Sequence, residues 1–229
     1  MANKKIPATV FVSGLGSDIC NPFINKDGKL HVIRLNQGTI LQLDSVGNTR
    51  PLVATNGQPS SSVFSPDGIL YTADFAHMAV LAYTEDGQQE MVVSVYEDKP
   101  LKGPNGIALI DGDIFFTDSG PFGETGLHAP LGSLFVISNS PSGQILKPIS
   151  LNNLAYPAGI AVTKDKKFIY VAETMQNRVL RFFQRPAGVY HGSVFYTLSG
   201  GVGPSSLALD SNGNLYVGQF DVKGMDNCS

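Results

Sequence analysis

The chain has 229 residues, only 15% of them charged, and a formal net charge of −3 at pH 7. This length is enough for one sizeable core, and the slightly acidic balance excludes an extended basic surface for nucleic acid. No apolar run is long enough to cross a membrane or to act as a secretion signal. We therefore predict a single domain over residues 1–229 in the cytoplasm, with no nucleic-acid or membrane partner.

One sequence pattern occurs five times along the chain. In chain order the copies contain "NPFINKDGKLHVI", "GQPSSSVFSPDGILYTADF", "GPNGIALIDGDIFFTDSG", "YPAGIAVTKDKKFIYVAET" and "GPSSLALDSNGNLYVGQF", and they start near residues 17, 57, 103, 156 and 203. Aligned on their turns, they place at equivalent positions Cys20, Ser60, Asn105, Ala158 and Ser205. A period of about 40 to 50 residues indicates a propeller or another repeat array.

Each copy has the features of a β-hairpin. A short apolar strand leads to a turn such as Asp67-Gly68 or Asn212-Gly213, and a strand rich in β-branched and aromatic residues follows. The first four copies are followed by a second hairpin, so each forms a four-stranded sheet of the kind that repeats radially in a β-propeller. After the fifth copy only "DVKGMDNCS" remains. We expect an incomplete last blade, to which the N-terminal "ATVFVSG" adds an outer strand.

The motifs "GPNGIAL…IFFTDSG" and "YPAGIAVTKDKKFIYVAETMQNRVLRFF", with the recurring "PDG.LY.AD", resemble the gluconolactonase (senescence marker protein) family and the related strictosidine-synthase-like proteins. Both groups are six-bladed propellers, and the resemblance extends from about residue 14 onward. It predicts an all-β propeller of the six-bladed gluconolactonase-like type, with five recognisable repeats and the last incomplete.

The resemblance also implies a metal site. In the family a divalent cation is held by a Glu from blade one, an Asn from blade four and an Asp from blade five, and an Asn from blade three assists on the substrate side. Only the blade-three Asn has a match, Asn105, whereas the other positions fall on or beside Cys20, on Ala158 and on Ser205. The candidate ligands are therefore Asn105, Ser205 and the nearby acid Asp18, with Ca²⁺ the expected ion.

Blade topology predicts which other side chains share this face, because the loop between strands two and three returns to the side where strand one begins. The substrate-facing candidates are Ser60, Cys20, His77 and Glu173. On the long loop "SGPFGETGLHAPLGS", Glu124 and His128 could act as acid and base, unless this is a solvated loop that its glycines and proline shape. The acids Asp74, Asp118 and Glu173 end successive second strands, where such residues commonly cap turns through backbone N–H groups.

Two functions remain open. The first is a gluconolactonase-like hydrolase of a lactone or small ester, intact or degenerate, for which millimolar Ca²⁺ should raise the melting temperature and Asn105→Ala should abolish that effect. An unchanged melting curve would count against the metal site. The alternative is a non-catalytic propeller that binds a protein strand, or a second copy of itself, at the incomplete blade.

Overall fold

The computed structural model describes residues 9–44, 46–141, 143–199 and 201–220, and its regular structure is almost entirely β-strand. Blade one contains β1 (Ile19–Ile24), β2 (Leu30–Arg34), β3 (Thr39–Leu43) and β4 (Thr49–Ala54). Blade two contains β5 (Pro59–Phe64), β6 (Leu70–Asp74), β7 (Ala79–Tyr83) and β8 (Gln89–Val93). A short hairpin that the sequence did not predict follows, made of β9 (Val95–Tyr96) and β10 (Lys99–Pro100).

The next two blades are longer. Blade three contains β11 (Pro104–Ile110), β12 (Asp113–Asp118), β13 (Gly132–Ser140) and β14 (Gly143–Leu154). Blade four contains β15 (Pro157–Val162), β16 (Phe168–Glu173), β17 (Arg178–Gln184) and β18 (Tyr190–Thr197). The last pair is β19 (Gly203–Leu209) and β20 (Leu215–Phe220), and single 3-10 turns cover Leu35–Gln37 and Thr174–Gln176. No helix among the described residues is long and apolar enough to cross a membrane.

Every four-stranded sheet is an antiparallel meander in sequence order, which confirms the two hairpins predicted for each complete repeat. The turns follow from local chemistry. In the β1–β2 turn the Asn25 side-chain oxygen accepts hydrogen bonds from the backbone N–H groups of Asp27 and Lys29, at 3.1 and 2.9 Å. Gly28 adopts φ 75°, a left-handed conformation that glycine reaches without steric cost. Asp210 and Gly213 repeat this arrangement between β19 and β20.

The core lies between successive blades, because each twisted sheet packs its apolar face against the next. Ile33, Ile40, Leu70 and Leu81 lie between blades one and two. Val80, Ile107, Phe116 and Phe135 lie between blades two and three. Phe115, Leu134, Ile169 and Val171 lie between blades three and four. Two sheet faces among the described residues have no complete blade beside them. They are the face of blade one that points away from blade two and the face of the β19–β20 pair that points away from blade four.

The N-terminal segment covers the first of these faces. Val12 and Leu15 pack against Val32, Leu41 and Leu43, on the side of blade one that faces away from blade two. Residues 9–18 contain no strand, so the prediction that "ATVFVSG" adds a strand to the last blade is wrong for its described part. The physical reason is that apolar residues of this segment find a ready apolar surface on the nearer blade.

Candidate functional site

The first strand of every blade has a β-bulge near its beginning. Ser60, Asn105, Ala158 and Ser205 each lie within such a bulge, and Cys20 lies immediately before the one in β1. A bulge removes a residue from the regular ladder and redirects its side chain. The five positions aligned from the sequence are therefore equivalent in the structure as well, at the face where the inner strands begin.

The chemistry of these positions differs from blade to blade. Burial, assisted by the nearby Asp18 carboxylate, raises the pKa of the Cys20 thiol to about 11, and its Sγ points to the Ser60 carbonyl oxygen at 3.8 Å. The thiol therefore stays protonated at neutral pH and is a poor nucleophile. Ala158 is buried and offers no donor atom.

Asn105 belongs to a small polar cluster. Its Nδ2 donates a hydrogen bond to Ser119 Oγ at 3.2 Å, and Ser119 is fully buried directly after β12. The Tyr156 hydroxyl, just before β15, lies beside the side chains of both Ser119 and Asn105, which act on its pKa. Burial raises the pKa of Tyr156 although these two polar neighbours act in the other direction, so the phenol is neutral at neutral pH.

Sequence reasoning missed Ser119 and Tyr156. The available signal was that Tyr156 directly precedes Pro157 at the start of "YPAGIAV", where three other copies have Gly or Gln. The backbone of Tyr156 adopts φ 56°, which is unusual for a residue other than glycine and turns the side chain toward the start of blade three. The Phe122 ring packs edge-on against Tyr156 with centroids 5.0 Å apart, so the long loop of blade three contacts one member of the cluster.

Glu124 and His128 lie on that loop, and both are exposed. Among the described residues, neither side chain has a hydrogen bond or an ion pair, so the structure does not bring the two together. The loop is nevertheless anchored, because Thr125 is buried and its backbone N–H donates to the Pro121 carbonyl at 3.2 Å. Their role as acid and base stays a prediction.

The strand-end acids are structural. Asp118 accepts hydrogen bonds from the backbone N–H groups of Lys102 and Gly103, and Glu173 accepts from the Ala155 N–H and from Arg178. Each carboxylate thus fixes the segment that leads into its own blade. The geometry does not support a substrate-facing Glu173, because the side chain is 1% exposed and both oxygens are occupied.

Asp74 holds the Gln58 and His77 backbone N–H groups in the same way, at 3.0 Å each. The His77 ring lies beside this carboxylate, with Nδ1 3.1 Å from Asp74 Oδ1 but outside hydrogen-bond geometry. The partly exposed His77 is therefore oriented by a buried acid, on the predicted face.

The described residues do not fit the cation site that the resemblance implies. No group of three or more His, Cys, Asp or Glu side chains able to hold a metal ion occurs in the described ranges. One Asp18 oxygen accepts the Asn36 backbone N–H at 3.2 Å, and Asn105 and Ser205 are neutral. Because Ca²⁺ affinity depends on the charge of its ligands, we derive no chemical step through a cation.

Four-stranded meanders packed face to face, with the starts of their inner strands at one face, define a β-propeller. The chain belongs to the SMP-30/Gluconolactonase/LRE-like family, which matches residues 20–228. Lactonase drp35 of Staphylococcus aureus is 27% identical over 208 residues, covering 86% of this chain and 61% of the relative. The chain thus spans about three fifths of the length of this curated relative.

Solved structures share the fold. A gluconolactonase from Xanthomonas campestris superposes with a TM-score of 0.74 at 21% identity, covering 87% of this chain and 69% of that one. A chain of a nidogen/laminin complex superposes with a TM-score of 0.68 at 16% identity, covering 88% and 72%. Similarities at these identities establish the propeller architecture and leave the chemistry to the site.

Proposed function

We propose that the protein is a lactonase-type hydrolase that opens a lactone or a small ester. The observation that carries this proposal is the Asn105, Ser119 and Tyr156 cluster at the start of the inner strands. Family membership and the similarity to a protein named lactonase support the same reaction class.

The cluster supplies hydrogen-bond donors for a carbonyl oxygen. The Asn105 amide nitrogen has two hydrogens and uses one on Ser119, so the second can be donated to a substrate oxygen that displaces the Tyr156 contact. The neutral Tyr156 phenol can donate as well. Fixed donors of this kind stabilise the negative charge that develops on the carbonyl oxygen when water attacks the carbonyl carbon.

The attacking water must lose a proton, and the long loop offers the acceptor. Either Glu124 or His128 takes that proton and delivers it to the leaving oxygen as the C–O bond breaks. A lactone then gives a hydroxy acid, and an ester gives an acid and an alcohol. Water attack and C–O cleavage balance without any redox partner. The cation at Asn105, Ser205 and Asp18 remains a prediction, since Asp18 would have to release the Asn36 N–H to take part.

The test is lactone hydrolysis by the wild type and by Tyr156→Phe. We expect kcat/KM to fall by about tenfold to a hundredfold, because the variant keeps the half-buried ring and loses the hydroxyl donor. Initial rates with a panel of γ- and δ-lactones and phenyl esters provide the measurement.

Tyr216→Phe is the matched control, since it removes a hydroxyl that is exposed on β20 and bonded only to Asp210 among the described residues. It should leave the rate unchanged. An equal rate for Tyr156→Phe and wild type would refute the role given to the cluster, and an inactive wild type would refute the reaction class.

The second candidate function is self-association at the last blade. Tyr216 is 55% exposed and Val217 36% exposed, and within the described ranges β20 pairs with no strand other than β19. An unpaired apolar edge readily accepts another strand, and a second copy of the chain offers the same edge.

Sedimentation velocity at increasing protein concentration tests this candidate. We expect a concentration-dependent dimer for the wild type and a monomer for Tyr216→Lys, which places a charge beside the edge. Val194→Lys on β18 is the control, since it charges a similarly exposed apolar position on a complete blade. A wild-type monomer throughout would contradict self-association.

A further inference from the structure

A groove lies between blades one and two, at the face opposite to Asn105. Its volume is about 180 Å³, and its walls come from the β1–β2 and β5–β6 turns and from strands of blade one. These turns connect strands one and two, whereas the Asn105 cluster lies where strand one begins. The groove is therefore remote from the proposed hydrolase site and does not depend on it.

The floor of the groove contains a histidine that the rest of the fold leaves unsatisfied. His31 is 1% exposed, and its ring lies between Phe23 and Phe64, with centroid distances of 5.3 and 5.0 Å. Its Nδ1 is buried and has no partner in hydrogen-bond geometry, although the Lys29 backbone and the Gln42 side chain lie near the ring. A buried polar atom without a partner is costly, and a ligand in the groove would remove that cost.

Burial lowers the pKa of His31, and the neighbouring cations Arg50 and Lys29 lower it further, whereas the contacts with Lys29 backbone and Gln42 act in the other direction. The imidazole is therefore neutral at neutral pH. A neutral imidazole can carry its single proton on Nδ1, where it would be available to an oxygen acceptor.

Three cations surround this position. Lys26, Lys29 and Arg50 line the groove, and none of them forms an ion pair among the residues that the structure describes. Arg50 is oriented by Gln42, because its Nη2 donates to Gln42 Oε1 at 2.8 Å. Two acids, Asp27 and Glu85, also line the walls, so three positive and two negative groups leave one net positive charge.

We propose that this groove binds a small oxyanion, a carboxylate or a phosphate. One anion oxygen accepts the His31 Nδ1 proton, and a second accepts the remaining N–H groups of the oriented Arg50 guanidinium, whose planar fork suits a two-oxygen group. The lysine ammonium groups complete the charge balance at the mouth. A single buried donor beside one net positive charge favours a small anion over an extended polyanion.

The test follows the imidazole resonances of the four histidines by NMR during titration with potassium phosphate and, separately, with sodium acetate, against chloride at the same ionic strength. We expect a saturable shift of the His31 signals that chloride does not produce. Arg50→Gln should raise the dissociation constant at least about tenfold, since it removes a charge-assisted pair of hydrogen bonds. Lys164→Gln, which removes a charge from the corresponding turn of blade four, should leave it unchanged.

His31→Phe provides a second variant that keeps an aromatic ring between Phe23 and Phe64, and its melting temperature should no longer rise with the anion. If both anions saturate the His31 shift, the groove is a general oxyanion site. If only phosphate does so, it is a phosphate site, and if only acetate does so, it is a carboxylate site. No saturable His31 shift with either anion, or equal affinity in Arg50→Gln and wild type, would overturn the proposal.

Discussion

Asp118→Ala is expected to lower the free energy of unfolding by about 4 kcal/mol, because two backbone N–H groups at a blade junction lose their acceptor. Asp118 is 1% exposed, and its Oδ1 accepts from Lys102 N at 2.9 Å and from Gly103 N at 2.7 Å. Among the described residues, the Gly103 N–H donates to no acceptor other than Asp118. Urea denaturation followed by circular dichroism measures the loss.

Asp118→Asn distinguishes the acceptor from its charge. Burial raises the pKa of Asp118, so the folded state holds this proton more tightly than the unfolded state does. The free energy of unfolding contributed by this group therefore falls as the pH rises from the ordinary carboxyl pKa through the raised one. Wild type should gain stability relative to Asp118→Asn as the pH is lowered through that window.

Glu90→Ala is the control for both variants, since Glu90 is exposed on β8 and its loss should change stability by less than about 0.5 kcal/mol. An Asp118→Ala protein as stable as the Glu90→Ala protein would show that the carboxylate does not fix the junction between blades two and three.

Gly106→Ala is expected to cost about 3 kcal/mol and to lower the melting temperature by roughly 9 °C. A Cβ at this position would lie 2.4 Å from the Ala158 carbonyl oxygen and 3.1 Å from Ile160 N. Both are backbone atoms of the next inner strand, so no side-chain rotation can relieve the overlap. The same carbonyl accepts a hydrogen bond from Thr117 Oγ1 at 2.6 Å, which in turn accepts the Gly106 N–H at 2.8 Å.

Gly126→Ala is the matched control, because an added Cβ there meets only the flexible end of Met175, at 3.7 Å, and the backbone is not left-handed. Differential scanning calorimetry of both variants should show a large loss for Gly106→Ala and almost none for Gly126→Ala. Equal melting temperatures would mean that blades three and four are separated more widely than the structure shows.

The Gly106 prediction depends on the short distance between the inner strands of blades three and four. Adjacent inner strands approach so closely that glycine follows the site position in blades three and four, as Gly106 and Gly159. This close approach also brings Tyr156, at the start of blade four, to Asn105 and Ser119 of blade three. The packing that limits substitution at the inner strands therefore also assembles the proposed donors for a carbonyl oxygen.

The repeat, the hairpins and the propeller class could all be predicted from the amino-acid sequence. These properties depend on short-range signals, such as the Asn25 to Gly28 turn and the alternation of apolar residues along each strand, and such signals act within a few residues. The resemblance to the gluconolactonase family rested on the same motifs and is confirmed by the family match. Asn105 was also located correctly at the start of its strand.

Which side chains contact each other could not be predicted, because it depends on how the blades pack. Tyr156 lies 51 residues from Asn105 and reaches it through the packing of two blades and an unusual backbone conformation. Glu173 is buried against Arg178, and Val12 and Leu15 cover blade one instead of extending the last blade. Each outcome depends on contacts between segments distant in sequence, and such contacts are selected by the burial and polar pairing available in the whole fold, which no local pattern specifies.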